Sequence, residues 1–430
     1  MKGTENMNQN LHVQWRVRDQ KLFVSQIFRC RVWVLLMCVM GLMLSGTEGG
    51  ELPFQKGQAA SGVLGQDDFT HSAQGTSSTR FIEPWGMGVD PRSGDVFVAD
   101  GFNNRVLRFK PATAETRGAA AIGVLGQSDF NSSGSDDSAT GMSVPAGVAF
   151  DQSGNLYVAD SGNNRVLRFN AQTIAKNQKG APADGVIGQP GFGTHQPGYV
   201  GGHGMLNDPF GVAVDSSGNL YVADQRNHRV VRFGKSIINP TGSTSNEDPY
   251  LVLGQPNFNG HAPGTGPTEM KSPTGVTVDS SDNVYVADFG NNRVLRFNAQ
   301  TIAETEKKQF VNDYAPKADA VLGQPGFTDA SPAHGPKGLS HPIGVAADKS
   351  GNLYVADTNN SRVLIFTNAA AKMNGDAAQG VLGHKDLNAR YFGAITSSSM
   401  RRPYKVALDK SGNLYVSDIL TYRVLFFQRQ

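Results

Sequence analysis

A four-residue pattern, aromatic-Val-Ala/Ser-Asp, recurs six times along the chain and constrains its fold more than any other feature. The aspartates that close the six copies lie 60 to 69 residues apart: Asp100, Asp160, Asp224, Asp288, Asp357 and Asp418. Each copy belongs to a longer unit such as "PAGVAFDQSGNLYVADSGNNRVLRF", in which turns rich in Asp, Ser, Gly and Asn separate three apolar runs. Val, Tyr and Phe favour strands, and the residues between them favour tight turns. The repeat therefore predicts six three-stranded units rather than six copies of a catalytic motif.

A second short pattern, Val-Leu/Ile-Gly-Gln/His, supplies a fourth strand to each unit. Its six copies begin at Val63, Val124, Val186, Val252, Val321 and Val381. The first copy precedes all the three-stranded units, and the last unit, which ends near Phe427, has no copy after it. If residues 63–66 pair beside residues 423–427, the N-terminal strand completes the sixth unit and closes a ring. The predicted fold is all-β: a six-bladed β-propeller of four-stranded antiparallel blades, closed by an N-terminal outer strand.

The repeated unit resembles the NHL repeat family, whose pattern P-x-G-V-A-x-D-x-x-G-N-x-Y-V-A-D-x-x-N-x-R-V runs through nearly all of residues 62–430. The resemblance implies a six-bladed propeller, and members of the family differ widely in function. The family includes a zinc-dependent amidating lyase, but its metal ligands have no residue-by-residue match in this chain. The resemblance therefore predicts the fold and leaves the activity open.

The N-terminal segment, residues 1–46, is predicted to be a leader. Arg29 and Arg31 precede an uncharged apolar run, residues 32–44, whose 13 residues suit a signal peptide better than a membrane-spanning helix. We therefore expect an extracytoplasmic protein, secreted or periplasmic; an anchor formed by residues 32–44 is the alternative. Residues 47–61 are predicted as a linker and residues 62–430 as the propeller.

Charge and cysteine content restrict the classes of partner. Both cysteines, Cys30 and Cys38, lie in the leader, so the predicted exported part has no disulfide. Without the leader's six basic and two acidic residues, 33 basic and 35 acidic residues remain, a net charge of about −2. Such a balance argues against a nucleic-acid partner or an anionic membrane surface, so a membrane role is expected only through an uncleaved leader. The chain is expected to be a monomer.

Every unit also carries an arginine a short turn after its aspartate, at a spacing that allows an ion pair within each hairpin. Six equivalent pairs cannot all be catalytic, so a structural role is predicted for them. The pairs are Asp100 with Arg105, Asp160 with Arg165, Asp224 with Arg229, Asp288 with Arg293, Asp357 with Arg362, and Asp418 with Arg423.

Function is expected where the units differ. The residue after the Pro of each P-x-G begins the innermost strand, and six of them should surround the mouth of the central channel: Trp85, Ala146, Phe210, Thr274, Ile343 and Tyr404. The sixth unit departs most from the pattern, with a basic connection that includes Arg401 and Arg402 and with Lys405 in place of the Gly. The candidate ligand-binding residues are Trp85, Phe210, Tyr404, Arg401 and Arg402. The alternative is that the aromatic side chains simply fill the channel.

A metal site is the second functional hypothesis. Seven of the nine histidines lie on or beside the long connections that run from each Val-Leu/Ile-Gly-Gln/His copy to the next P-x-G. His203 and His341 are the candidate ligands, although no compact His motif occurs. No cofactor is predicted, and zinc or calcium belongs to this alternative only. The leading interpretation is an exported, non-catalytic module that binds a protein, peptide, glycan or small ligand. The alternative is a metal-dependent lyase or hydrolase with its site at the channel mouth.

Overall fold

The computed structural model describes residues 51–198, 205–235, 248–312, 316–389 and 393–430. The predicted leader and His203 lie outside these ranges. Within them, 24 strands form six four-stranded antiparallel sheets, which are the six predicted blades. Blade one contains β2–β5, blade two β6–β9, blade three β10–β13, blade four β14–β17 and blade five β18–β21. Blade six contains β22–β24 and β1.

Each blade begins with an inner strand that starts at the Pro of the repeat. These strands are β2 (Pro84–Val89), β6 (Pro145–Phe150), β10 (Pro209–Val214), β14 (Pro273–Val278), β18 (Pro342–Ala347) and β22 (Pro403–Leu408). The second strands carry the aromatic-Val-Ala/Ser-Asp pattern: β3 (Val96–Asp100), β7 (Leu156–Asp160), β11 (Leu220–Asp224), β15 (Val284–Asp288), β19 (Leu353–Asp357) and β23 (Leu414–Asp418).

The third strands begin at the repeated arginine. They are β4 (Arg105–Phe109), β8 (Arg165–Phe169), β12 (Arg229–Phe233), β16 (Arg293–Phe297), β20 (Arg362–Phe366) and β24 (Arg423–Phe427). The outer strands are short: β1 (Gly62–Leu64), β5 (Gly123–Leu125), β9 (Gly185–Ile187), β13 (Leu251–Leu253), β17 (Ala320–Leu322) and β21 (Gly380–Leu382).

The first strand of the chain pairs with the last. In the antiparallel register of β1 with β24, Val63 lies opposite Leu425 and Leu64 opposite Val424. β1 ends two residues earlier than its sequence pattern, because Gly65 has a φ of 82° and a Cβ there would lie 2.2 Å from the Phe81 ring. The inner strands contact one another in cyclic order, including β22 with β2, so the blades surround a central channel.

The chain segment before β1 also packs on the ring. Phe54 is fully buried, with its ring centroid 5.9 Å from that of Tyr354 in blade five. The Ala60 amide donates to Ser397 O at 2.8 Å, as the Ala121 amide does to Ser78 O at 2.7 Å in blade one. The described part of the predicted linker thus occupies the place that an internal connection takes in the other blades.

The strands are apolar on both faces because each blade lies between two others. In β7, Leu156 and Val158 pack towards blade one, while Tyr157 and Ala159 pack towards blade three. All five residues of β7 are buried. Burial on both faces explains why these strands read as continuous apolar runs rather than as alternating ones.

Helices are few in the described ranges. α1 (Ala171–Lys176) and α2 (Ala299–Asn312) lie on connections between third and outer strands, and single 3-10 turns follow the second strands. None of the helices in the described part of the chain is long and apolar enough to cross a membrane. Six connections emerge at one end of the channel, and we call that side the long-loop face. Their described residues are 67–83, 128–144, 190–198 with 205–208, 256–272, 325–341, and 385–389 with 393–402.

Candidate functional site

Aromatic side chains close the channel mouth on the long-loop face. Ala146, Phe210, Thr274 and Ile343 are buried, and Trp85 and Tyr404 are partly exposed above them. The Trp85 ring lies 5.7 Å from the Phe210 ring and 5.8 Å from the Tyr404 ring, and Phe210 and Tyr404 are 5.9 Å apart. Because these residues belong to blades one, three and six, their rings meet across the channel. Together with Ala146, Phe289 and Ile343, these three rings form one apolar cluster of six side chains, which we call the plug.

The outer surface of the plug extends into an exposed apolar patch. Phe102 is 51% exposed, and its ring packs edge-on against Trp85 at 5.6 Å. Leu420, also 51% exposed, holds the equivalent position in blade six. The turn of blade five leans onto the next inner strand, where Thr358 Oγ1 donates to Pro403 O at 2.8 Å. By the same geometry the turn that carries Leu420 leans towards β2, the inner strand that begins with Pro84 and Trp85.

Trp85 is held in a fixed orientation at this junction. Its Nε1–H donates to Glu83 Oε2 at 2.9 Å. Burial raises the pKa of the neighbouring Tyr404. The charge of Arg402 lowers this pKa, and the charges of Glu83 and Asp208 raise it further. The Tyr404 hydroxyl is therefore neutral at physiological pH, and carboxylates and a guanidinium lie around the same ring.

The residue before each inner-strand Pro forms the rim of the mouth. In five blades this residue has a left-handed backbone: Glu83, Val144, Asp208, Ser272 and His341, with φ between 49° and 59°. Non-glycine residues, and Val above all, seldom adopt this region, and such conformations cluster at functional sites. In blades two to five a side chain of the preceding blade stabilises this residue, as where Asn104 Oδ1 accepts from the Val144 amide at 2.8 Å. In blade six the rim residue is Arg402, which is not among the left-handed residues.

Arg401 and Arg402 lie on the rim beside Tyr404. Both backbone amides donate to Asp418 Oδ1, at 3.0 and 2.9 Å. Neither guanidinium forms an ion pair with a carboxylate of the described ranges, and Arg402 Nε is buried without a hydrogen-bond partner there. The rim of blade six therefore carries positive charge that the described residues do not neutralise.

His341 lies on the rim of blade five, near Arg402. Its Nδ1 lies 2.9 Å from Asn359 Nδ2, which donates to it, and its ring contacts Phe289 at 4.8 Å. Burial, and secondarily the charge of Arg402, lowers the pKa of His341. Within the described ranges, no group of three or more His, Cys, Asp or Glu side chains is arranged to hold a metal ion. His203, the other candidate ligand, lies outside those ranges, so a metal site stays a hypothesis.

The six Asp–Arg pairs lie beneath the long loops. The side chains of Asp100 and Arg105 are fully buried, with Nε 2.8 Å from Oδ2. Burial raises the pKa of Asp100 to about 6, against the lowering effect of Arg105. The Arg105 guanidinium also donates to Ser77 O at 2.8 Å and to Phe130 O, which lie on the loops before and after the blade. The pair thus ties two long loops to one hairpin.

The NHL repeat model matches four segments of the chain, residues 142–169, 206–233, 270–297 and 339–366. These segments are the first three strands of blades two to five, together with the end of the loop before each. With the six four-stranded blades, the matches decide the family. The chain is an NHL-repeat propeller.

Three relatives align with parts of this NHL-repeat propeller. Protein SUPPRESSOR OF QUENCHING 1, chloroplastic, of Arabidopsis thaliana is 24% identical over 305 residues, 69% of this chain and 26% of that protein. Teneurin-1 of Homo sapiens is 25% identical over 249 residues, 53% of this chain and 8% of that protein. Peptidyl-glycine alpha-amidating monooxygenase B of Xenopus laevis is 27% identical over 167 residues, 38% of this chain and 16% of that protein. The propeller thus spans at most about a quarter of these relatives.

Solved structures resemble the NHL-repeat propeller in fold alone. A protein of unknown function from Bacteroides thetaiotaomicron has a TM-score of 0.51 and 14% identity, covering 87% of this chain and 75% of that one. A streptogramin B lyase has a TM-score of 0.47 and 11% identity, covering 87% of this chain and all of that one.

The opposite face of the NHL-repeat propeller carries a cavity of about 490 Å³ between blades five, six and one. Asp90, Asp348, Asp409 and the cations Lys349, Lys410 and Arg429 line it. The aspartates are turn residues: Asp348, for example, accepts from the Asn352 amide at 2.9 Å and from the Tyr354 hydroxyl at 3.0 Å. These aspartates cap turns, and they lie at the channel end away from the plug.

Phe102 and Leu420 are site residues that the sequence analysis did not single out. The signal was present, since the equivalent turn position in blades two to five holds Gly162, Arg226, Gly290 and Asn359. Only blades one and six place a large apolar residue there. No sequence pattern marked the left-handed backbone of the rim residues. Each of them precedes a Pro, and a Pro favours extended rather than helical backbone angles at the residue before it.

Proposed function

We propose that this protein is an exported, non-catalytic binding module whose ligand lies on the long-loop face, over the plug at the junction of blades six and one. The observation that carries the proposal is the exposed Phe102 ring packed against Trp85 in blade one, with the exposed Leu420 at the equivalent turn position of blade six. Exposed aromatic residues supply large, rigid contact area at little entropic cost, which is why they dominate binding surfaces. The ligand would rest on the plug rather than enter an open channel.

The charges on the rim define the ligand further. Arg402, which lies close to Tyr404, and Arg401 before it have no carboxylate partner among the described residues. Guanidinium groups bind carboxylate, sulfonate and phosphate oxygens with charge-assisted hydrogen bonds. The best-fitting ligand has an apolar ring or chain that stacks on Trp85 and an anionic group directed at blade six. A peptide, a modified glycan or a small molecule could present these features.

The location rests on the predicted leader. An apolar run of 13 residues after two arginines favours export, so the ligand is expected outside the cytoplasm and the propeller is expected to act as a monomer. The net charge of about −2 without the leader gives no general attraction to nucleic acid. The metal-dependent lyase or hydrolase gains no support from the donor groups of the described residues.

The probe 8-anilinonaphthalene-1-sulfonate tests the site, because it combines an aromatic body with one anionic group. We expect saturable binding, with energy transfer from Trp85, the only Trp outside residues 1–46. Trp85→Ala and Arg402→Ala should each raise the dissociation constant of the probe about 30-fold, since truncating an anchor residue typically costs about 2 kcal/mol of binding free energy. Met373→Ala removes an apolar side chain that is 65% exposed on the opposite face, and it should leave binding unchanged. Unchanged affinity in both Trp85→Ala and Arg402→Ala would place the site elsewhere.

A further inference from the structure

Lys405 occupies a position that the repeat reserves for glycine. The equivalent residues in blades one to five are Gly86, Gly147, Gly211, Gly275 and Gly344. A Cβ at any of these glycines would lie 2.1 to 2.6 Å from a backbone carbonyl oxygen of the next inner strand. In the regular blades the backbones are therefore too close for any side chain, and only blade six holds one there.

The repeat geometry also gives the direction of the Lys405 side chain. The Cβ position of Gly344 faces Tyr404 O of the next blade, at 2.6 Å. By equivalence, Lys405 faces β2, the strand that begins with Pro84 and Trp85. Ala407, two residues later, packs with Met87 of β2 in the same apolar cluster. The Lys405 side chain is thus directed into the contact between blades six and one.

A second change accompanies the lysine. Blades one to five have Ala at the third position of the aromatic-Val-Ala/Ser-Asp pattern, whereas blade six has Ser417. Ser417 is fully buried, and its Oγ accepts from the Lys405 amide at 2.9 Å. The two departures therefore support each other, and blade six is locally adapted to hold a side chain at this position.

The amine of Lys405 has no partner within the described ranges. The residue is 8% exposed, and within the described ranges its Nζ forms no hydrogen bond and no ion pair. Burial alone lowers the pKa of Lys405 to about 8. An unpaired cation in apolar surroundings costs free energy, and the cost is relieved when the amine is neutral. A desolvated neutral lysine is a nucleophile towards carbonyl carbon.

We propose that Lys405 is a carbonyl-reactive amine that forms an imine with an aldehyde or ketone group of a ligand bound over the plug. The Nζ lone pair attacks the carbonyl carbon, a proton moves from nitrogen to oxygen, and water leaves as the C=N bond forms. The step needs no oxidant or reductant, and surroundings poor in water favour the loss of water. The inference rests on the proposed function for the ligand's position, and it adds the chemical class of the ligand.

Benzaldehyde with sodium cyanoborohydride tests the proposal on the full chain, since the hydride traps an imine as a stable benzylamine. At pH 7 an amine with a pKa near 8 is neutral in about one molecule in ten, against fewer than about one in a thousand for an ordinary lysine. Peptide mapping by mass spectrometry should show Lys405 benzylated at least about 10-fold faster than the exposed Lys349 and Lys410. Its rate should level off above about pH 8, whereas theirs keeps rising. Labelling of Lys349 and Lys410 without labelling of Lys405 would overturn the proposal.

Matched variants separate this result from simple lysine modification and from the proposed binding site. Lys405→Arg keeps the positive charge and should abolish the label at this position, and labelling of Lys349 should stay as in the unsubstituted chain. If Trp85→Ala leaves sulfonate-probe binding intact while Lys405 is still labelled fast, the binding site over the plug is wrong and the reactive amine stands. If Trp85→Ala abolishes probe binding and Lys405 of the unsubstituted chain is not labelled, the reactive amine is wrong and the binding site stands.

Discussion

Blades two to five and the junction of blades six and one follow different rules. Between successive blades from one to five, a side chain at the end of one turn accepts a hydrogen bond from the backbone amide of the next blade's rim residue. The four bonds, 2.8 to 3.0 Å long, are Asn104 from Val144, Asn164 from Asp208, His228 from Ser272 and Asn292 from His341. Blade six ends its turn with Tyr422, which supplies no such bond to Glu83 among the described residues. Blades one to five are therefore linked in succession by a hydrogen bond that blade six does not make to blade one in the described part of the chain.

The buried ion pairs show the same division. In blades one to five the Arg Nε lies 2.7 to 2.8 Å from the Asp Oδ2, and an Asn amide donates to the same oxygen. In blade six the closest approach of Arg423 to Asp418 is 3.1 Å, and Thr421 replaces the Asn. The NHL repeat model matches blades two to five only. Departures from a repeat are expected where function is gained, and here they coincide with the patch and Lys405.

The largest effect should come from removing the strand that completes blade six. Deleting residues 57–66 from a chain that begins at Glu51 removes the buried Val63 and Leu64 and exposes the edge of β24. We expect a loss of about 4 kcal/mol or more in the free energy of unfolding, since each buried aliphatic side chain contributes about 1.5–3 kcal/mol. Urea denaturation followed by circular dichroism measures it. A midpoint and slope equal to those of the undeleted chain would contradict the role of β1 in closing the ring.

The buried ion pairs should rank next and should distinguish the two regions. Arg165→Met leaves Asp160 buried without its partner and should cost about 3–5 kcal/mol. Arg423→Met removes a looser pair and should cost clearly less. Both variants remove the same side chain at equivalent positions, so each is the other's control in urea denaturation. Equal losses in the free energy of unfolding would show that the longer Arg423–Asp418 distance does not reduce the stabilisation by this pair.

The lysine at the glycine position should give a pH-dependent effect. The pKa of Lys405, about 8, lies below the ordinary 10.5, so between these values the unfolded chain holds more protons than the folded one. The stability contributed by this group therefore rises with pH across that window. Lys405→Met should stabilise the protein by about 1–3 kcal/mol at pH 7, and the gain should shrink as the pH rises above 8. Parallel urea titrations at pH 7 and 9.5 measure it; a gain independent of pH would mean that the amine is not desolvated.

The smallest effect should come from supplying blade six with the missing bond. Tyr422 has a φ of 50°, a conformation that Asn tolerates better than Tyr. In Tyr422→Asn the new Oδ1 can accept from the Glu83 amide, and we expect a gain of about 0.5–1 kcal/mol. Asn164→Ala, which removes the corresponding bond between blades two and three, should lose a similar amount. A thermal melt that moves in the same direction for both variants would refute the equivalence of these positions.

Much of the fold could be predicted from the sequence because a weak strand pattern occurs six times. One "LYVAD" run could be a strand or part of a helix, but six copies with matching turns leave one arrangement, and the unmatched first and last elements indicate their pairing. The reading failed at local geometry: β1 stops at Leu64 because of the conformation of Gly65 and the position of Phe81, and neither is visible in the pattern "VLGQ".

The site was readable only in part. Ring closure brings blades one and six together, and Trp85 and Tyr404 are indeed in contact. That Phe210 reaches both from blade three depends on the width of the channel relative to an aromatic side chain, which a sequence does not state. The exposure of Phe102 depends on the lean of its turn, again a property of packing rather than of residue type. Residues whose role depends on distances across the ring are the ones that sequence reasoning misses.

The pairing of β1 with β24 also sets when this ring can form. Arg423 Nη1 donates to Phe69 O across 354 residues of sequence, so the contacts that close the propeller join segments synthesised far apart in time. Contacts between distant segments slow folding, because the loop entropy must be lost before they form. Until residues 403–427 emerge, blade one has no neighbour on one side, and a chain that stops short of β24 leaves the edges of β1 and β23 unpaired. Synthesis to the last blade is therefore the step that turns an aggregation-prone intermediate into a closed molecule.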